Sequence, residues 1–190
     1  MKGPDMFSKP DSERSRQTNN SVLDDAIEAI RNGDRNGMRH LYSECAQAVY
    51  AYALSILKKP HDAEDALHDC FLQIWEHADS YSSRGKPMAW ILTITRNLCF
   101  SRLRGMERTD ELPEDLAFSD AVEPEQRIVL ETCLRKLDDR ERQIVVLHAV
   151  GGLRHREIAS LMKLPLGTVL SRYSRAIGKL REMLIEEGIQ

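Results

Sequence analysis

The 190-residue chain is short of several things, and each shortage removes a class of protein. No apolar run approaches the roughly 20 residues that cross a bilayer as a helix. The N-terminus lacks the apolar block of a secretory signal peptide, which places the protein in the cytoplasm. Four cysteines (Cys45, Cys70, Cys99 and Cys133) are scattered, without the paired spacing of zinc or redox sites. All lie within apolar helical patterns and read as reduced core thiols, with a redox sensor as the alternative. Net charge is also small, −3 at pH 7, so any nucleic-acid binding must come from local patches. Strand-type alternation is missing throughout. What is present, 42% hydrophobic and 30% charged residues, suits a folded all-α protein rather than a disordered one.

The most informative stretch is Leu153 to Leu184. Ile158, Ala159, Leu161 and Met162 recur on one face of a short helix. Lys163-Leu164-Pro165 interrupts it, because proline disfavours a helical residue before it but opens a new helix well. Val169, Tyr173, Ile177, Leu180 and Leu184 then form one stripe of a longer helix. Its other face carries Thr168, Ser171, Arg172, Arg175 and Lys179. From Arg154 to Arg181 there are seven Lys/Arg and one acidic residue, Glu157. The pattern is that of a DNA-binding helix-turn-helix. In an ordinary helical hairpin the cations would stand four residues from acids; here they are grouped.

Upstream, residues 1–20 are polar and aperiodic, the pattern of a disordered tail. A helix is expected from Ser21 to Gly33, with Leu23, Ala26, Ile27 and Ile30 inward, and a second from about Asn36 to Leu57. The third, Asp62 to His77, combines an apolar set with Asp62, Glu64, Asp65, Asp69 and Glu76 and no Lys or Arg. Asp62 is its expected cap, with Asp65 completing a capping box. Such a face repels DNA and suits a basic protein surface, with Trp75 as an aromatic anchor. Glu64, Asp65, His68 and Asp69 also stand at chelating offsets, but no matching motif on another helix completes a di-metal site. No metal and no cofactor are therefore expected.

A fourth helix, Pro87 to about Arg104, turns Trp90, Ile91, Ile94 and Leu98 inward. Thr93, Asn97, Phe100 and Arg104 share another face, and Arg84, Lys86, Arg96 and Arg102 make the region basic. Amide, aromatic and guanidinium groups together suit an unstacked base and its phosphates. From Thr109 to Glu125 there are seven acidic and no basic residues, with Pro113 and Pro124, the composition of an interdomain linker. Helices are expected at Glu125 to Leu137 and at Asp139 to Val150, the latter capped by Asp138 with Glu141 and stopped by Gly151-Gly152. The resulting domains are 21–106 and 125–190, joined by 107–124.

Three segments in this order, DAEDALHDCFLQIW from Asp62, AWILTITRNLCFSRLR from Ala89 and REIASLMKLPLGTVLSRYSRAIGKLR from Arg156, resemble the extracytoplasmic-function (ECF, group IV) sigma factors of the sigma-70 family. The resemblance spans about Ala26 to Leu184. It implies a non-enzymatic subunit with sigma regions 2 and 4, which joins core RNA polymerase through its β′ and β subunits and directs promoter recognition, with no small-molecule substrate. Asp62, Asp65, His68, Asp69 and Trp75 would contact the polymerase. Arg96, Asn97, Phe100 and Arg104 would meet the minus-ten element, Asn97 holding a flipped base beside the loop Ser82 to Lys86. Thr168, Ser171, Arg172, Arg175 and Lys179 would meet the minus-thirty-five element in the major groove. An anti-sigma factor, which would hold the protein at the membrane, is implied as regulator, since the chain ends soon after the helix-turn-helix. Two positions depart from the pattern: Leu170 where a basic residue is common, and His68 where glutamine is common. A stand-alone helix-turn-helix regulator and a metal-dependent helical enzyme around His68 are the competing readings.

Overall fold

The computed structural model of the chain describes residues 10–82, 85–106, 134 and 136–186. Among these the regular elements are all helical: α1 (Pro10–Arg31), α2 (Arg35–Leu57), α3 (Pro60–His77), a 3-10 turn (Ala78–Ser80), α4 (Pro87–Met106), α5 (Asp139–Ala149), α6 (His155–Met162) and α7 (Leu166–Glu186). The expected helix from Glu125 to Leu137 lies mostly outside the described residues, and the acidic linker and Cys133 lie wholly outside them.

Local chemistry accounts for most boundaries. Asp34 caps α2 by accepting from the Asn36 N–H at 2.8 Å. Lys58, at φ 64°, closes α2 in the left-handed conformation, its N–H returning to Leu54 O. The tight turn between α6 and α7 repeats the device: Lys163 has φ 55°, and Leu164 N–H donates to Ala159 O at 2.9 Å. Two starts differ from expectation. α3 begins at Pro60, not Asp62; a proline that ends one helix also supplies a preset φ for the first residue of the next. Asp62 is thus no cap but sits in the first turn, where its charge opposes the helix dipole favourably. α1 reaches back to Pro10 through residues expected to be a tail. Extending a helix already nucleated by Leu23 and Ile27 costs far less than starting one.

The N-terminal helices pack around α2. Leu23, Ile27, Leu41, Tyr52, Leu54, Ile74, Ile91 and Leu92 are all fully buried there. α4 is rotated relative to the expected stripe: Ile91, Leu92, Thr95 and Cys99 are sealed inside, while Trp90, Ile94 and Leu98 are only partly covered. Thr95 can be interior because its hydroxyl donates to Ile91 O at 3.1 Å and lies 3.4 Å from Cys70 Sγ. Cys45, Cys70 and Cys99 are free and buried. Burial raises the Cys45 thiol pKa and pushes Cys70 up to about 11 and Cys99 up to about 12, so these thiols are inert at neutral pH.

The same core continues into the C-terminal half. Ile144, Val146, Leu147, Leu153, Ile158 and Val169 belong to it, and α5 lies against α2. Lys58 Nζ reaches Asp139 Oδ2 at 2.9 Å across that seam. A smaller cluster of Leu134, Leu137, Val145, Ala176 and Leu180 joins α5 to α7. Arg142, only 7% exposed, bridges it by donating to Leu134 O and Leu137 O, both at 2.9 Å.

Close approach of α1 and α2 makes Gly37 indispensable. A Cβ on Gly37 would stand 2.7 Å from Ala26 O and 2.9 Å from Ala29 Cβ, whereas one on Gly105 would meet nothing within 4 Å. Gly37→Ala is therefore expected to destabilise the protein by about 1–3 kcal/mol. Gly105→Ala, in an open helical position, should be neutral or stabilising by up to about 1 kcal/mol. Urea denaturation of the two variants checks both.

Candidate protein and nucleic-acid interfaces

The exposed face of α3 is narrower than its acidic composition suggested. Asp65 and Asp69 are occupied: Arg102 of α4 donates to Asp65 Oδ2 at 3.2 Å and to Asp69 Oδ2. They lock α3 to α4 as well as colouring the surface. His68 is exposed, and its Nδ1–H donates to Glu64 O at 2.9 Å, leaving Nε2 outward. With two carboxylates turned to Arg102 and His68 Nδ1 turned to its own helix, these groups do not converge on a common point. Asp62 is half-buried, with Oδ2 lacking a hydrogen-bond partner among the described residues. Trp75 is 42% exposed, and beside it Leu72 is 60% exposed. Sequence reasoning missed Leu72. Its signal was present: it falls between the inward positions Phe71 and Ile74, off the buried stripe. Tyr42, also exposed, stacks at 4.9 Å on Phe71 from α2. The free face is thus an apolar pair, Leu72 and Trp75, with Glu64, His68 and Glu76 exposed along the helix.

On α4, Thr93, Asn97 and Arg104 are exposed, with Arg96 and Phe100 half-buried beside them. The Arg96 guanidinium lies 4.5 Å over the Phe100 ring. This holds a cation and an aromatic face as one unit. Next to them is a depression of about 270 Å³ lined by Ser80, Tyr81, Ser82, Lys86, Ala89, Trp90 and Thr93. Its wall is rigid: Tyr81 packs on Trp90 at 4.9 Å and its hydroxyl donates to Asp24. Burial, together with that bond, raises the Tyr81 pKa, so it stays a neutral donor. Asn97 stands one turn beyond Thr93, outside the lining. The depression offers aromatic edges, two serine hydroxyls and one ammonium.

On α7 the five residues expected to face DNA divide in two. Ser171 and Arg175 are exposed, and Thr168 is half-exposed in the first turn. Arg172 and Lys179 turn instead toward the start of α5. Arg172 Nη1 meets Asp138 Oδ2 at 3.2 Å; Lys179 Nζ meets Glu141 Oε2 at 2.7 Å, and Glu141 is only 1% exposed. The reason is angular. At about 100° per residue, positions 172 and 179 lie on the flank near the buried stripe, while 171, 174 and 175 lie nearer the outward side. The expected Asp138–Glu141 capping box is half made: Asp138 accepts from the Glu141 N–H at 2.8 Å, but the Glu141 carboxylate goes to Lys179. Burial pushes the Asp138 carboxyl pKa up, but the Glu141 N–H and the Arg172 guanidinium outweigh it and hold the group below its ordinary value. His148, His155 and Tyr173 form a ring cluster, the two imidazoles 4.4 Å apart, which fastens the helix-turn-helix to α5.

Comparison with known proteins adds to this geometry. Residues 41–109 match the family model described as Sigma-70 region 2, and residues 127–180 match that described as Sigma-70, region 4. The chain is 26% identical over 174 residues to the ECF RNA polymerase sigma factor SigK of Mycobacterium ulcerans (strain Agy99), covering 85% of this chain and 93% of that protein. It is 26% identical over 177 residues to SigK of Mycobacterium tuberculosis (strain ATCC 25618 / H37Rv), covering 86% and 94%. Among solved structures, the sigma factor RpoE bound to the anti-sigma factor NepR, from Bartonella quintana, has a TM-score of 0.66 at 24% identity, covering 77% of this chain and 95% of that one. CnrH in complex with the cytosolic domain of CnrY has a TM-score of 0.61 at 22% identity, covering 87% and 98%.

Two outcomes follow from the ion pairs of α5. Lys179→Ala strands a buried carboxylate and should cost about 1–3 kcal/mol in chemical denaturation. Adding Glu141→Gln should recover part of that loss, because a neutral amide costs less to bury than a charge. Asp138, with its folded pKa depressed, contributes stability that is complete above its unfolded value of about 3.9 and is lost as pH falls through the folded value. Asp138→Asn should therefore flatten the decline in stability measured below about pH 4.

Proposed function

The chain belongs to the sigma-70 family as an RNA polymerase sigma factor of the extracytoplasmic-function type, and from that premise we propose how its surfaces divide the work of transcription initiation. The unit 21–106 acts as region 2 and the unit 125–190 as region 4, with 107–124 as the tether. The protein works as a non-enzymatic specificity subunit in the cytoplasm. It lends core polymerase its two DNA-reading surfaces.

The observation that carries this reading is the separation of unlike faces on one scaffold. On α3, Leu72 and Trp75 are exposed beside Glu64, His68 and Glu76. An apolar anchor ringed by mainly acidic groups suits a basic protein surface, which we assign to the polymerase β′ coiled coil. Asp62 supports that contact from the first turn; Asp65 and Asp69 contribute less charge than their number implies, because Arg102 meets both. On α4, Asn97, Arg104 and the stacked Arg96–Phe100 pair face outward beside the depression under Trp90. A flipped minus-ten base can be held there by stacking and polar contacts while the cations take its phosphates. On α7, Ser171 and Arg175 read the minus-thirty-five element, with Thr168 and the first-turn N–H groups at a phosphate. Arg172 and Lys179 act from the flank, aligning α7 on α5.

The relatives' complexes support one more partner. RpoE is bound to an anti-sigma factor and CnrH to the cytosolic domain of CnrY, and we propose that a protein of the first kind restrains this chain, at the membrane when membrane-bound. A stand-alone helix-turn-helix regulator leaves the region 2 match and the α3 face without a role.

The test is a pull-down with bacterial core polymerase, followed by run-off transcription on genomic fragments. Association and discrete new start sites are expected. Arg175→Ala should lower promoter-directed transcription by the equivalent of about 1–3 kcal/mol while leaving core association intact. Leu72→Ala combined with Trp75→Ala should do the reverse. Loss of core association in the Arg175 variant would overturn the division of surfaces.

A further inference from the structure

Helix α1 carries none of the surfaces assigned above, yet one of its faces reaches the depression beside α4. Tyr81, which follows the 3-10 turn, is buried and packs on Trp90. Its hydroxyl donates to the carboxylate of Asp24 on α1. Four residues on, Gly85 takes a left-handed turn at φ 65°, and its carbonyl accepts from Asn20 Nδ2 at 3.1 Å. Asn20 and Asp24 stand about one helical turn apart and share a face. One strip of α1 therefore holds both ends of the connection from the 3-10 turn to α4. A third tie, Arg31 Nε to the exposed Asp79 Oδ1 at 3.7 Å, adds little. Packing does not duplicate the two inner bonds. A cavity of about 700 Å³ lies behind the connection, with Asn20, Asp24, Gly85, Lys86 and Ala89 among its lining. Hydrogen bonds here take the place that side-chain packing has elsewhere in the fold.

What those bonds hold is the wall of the depression. Tyr81, Ser82, Lys86 and Trp90 line it, and Lys86 follows Gly85 directly. The Ser82 and Lys86 side chains have no hydrogen bond or ion pair with any described residue, so they remain for a ligand. Extruding a base from its stack is uphill, and the contacts that offset it need their groups held within about 0.5 Å. Asp24 suits that task. A carboxylate accepts from a hydroxyl more strongly than a neutral group does, and here it fixes the Tyr81 ring that backs Trp90. We propose that Asp24 and Asn20 are positioning residues for minus-ten recognition: they set the aromatic wall and the lysine-bearing rim of the pocket without touching DNA. The proposal rests on this depression being the one that receives the unstacked base.

The test uses the sigma factor bound to core polymerase and a promoter recovered from the run-off mapping. Each non-template base of the minus-ten element is replaced in turn by the other three, and affinity is measured by competition. At one position, that of the flipped base, the wild type should prefer the natural base about tenfold or more. Tyr81→Phe and Asp24→Ala should each lower that preference about two- to tenfold, the effect of one lost hydrogen bond. Asn20→Ala should lower it by a similar factor. Asp24→Asn keeps an acceptor for the Tyr81 hydroxyl and should stay close to the wild type. Preferences at the minus-thirty-five element and core association should be unchanged in all four variants, which also reports that each is folded. If Tyr81→Phe and Asp24→Ala keep the full minus-ten preference, or weaken every promoter position alike, the two bonds serve stability alone and the proposal is overturned. If Ser82→Ala combined with Lys86→Ala leaves the preference unchanged, the depression does not receive the base, and the reading beneath the proposal falls with it.

Discussion

Helix α2 sets the terms for every other element. From Ala51 to Leu57 every residue is buried, so over its last two turns the helix has no face that can be left to water. A helix apolar all round must be enclosed, and no single layer does that. α1, α3 and α4 surround it from the N-terminal half, and α5 lies against it from the C-terminal half. The exposed Lys58–Asp139 pair at the seam adds little, as surface ion pairs do; the apolar continuity of Leu54 and Leu92 with Ile144 and Leu147 is the substance of the contact. Functional side chains are consequently confined to the outer helices. α3, α4 and α7 each have one face turned to α2 or α5 and one free.

Ion pairing then decides which charges on those outer helices remain available. Arg102, Arg172 and Lys179 all belong to basic clusters by composition, yet each is engaged with carboxylates on a neighbouring helix. Their pairing keeps α4 on α3 and α7 on α5, in orientations that leave Arg104 and Arg175 exposed without an ion pair to any described residue. A carboxylate as deeply buried as Glu141 is costly unless matched. Lys179 therefore works for the fold first. The charge available to nucleic acid is smaller than a count of Lys and Arg suggests, and more directed.

Where information was local, the fold could be read from residues alone. Asp34 and Asp138 announce helix starts because a short acceptor next to an apolar pattern has one good use, and Pro165 marks the turn of the helix-turn-helix for a similar reason. The all-α class and the shared face of Asn97 and Phe100 follow from periodicity of the same local kind, while the two sigma regions came from the resemblance of three ordered segments to a family. Errors came where the deciding partner was distant. The start of α3 at Pro60 instead of Asp62 escaped because a proline after a helix looks the same locally whether or not the next helix begins on it. Thr95 was not placed inside α4, because its satisfaction depends on Ile91 O and on Cys70 from another helix. Nothing within four residues of Arg172 or Lys179 hints at Asp138 and Glu141, 34 and 38 positions away. Leu72 was overlooked since an apolar residue in an apolar helix is assumed to face inward.

Leu72 and Trp75 share a property that bears on function more directly than any charge does. Each is a large apolar side chain held in solvent on a helix whose buried stripe is complete without it. Levels of a sequence that otherwise agree disagree at these positions, and such disagreement is expected where a surface serves something other than folding. The surrounding chemistry points to the partner: acidic groups and a histidine around Leu72 and Trp75 favour a basic protein surface. An exposed charge can be satisfied by water and so says little about its partner. An exposed leucine or tryptophan gains nothing from water, and its neighbours therefore indicate which kind of surface can cover it.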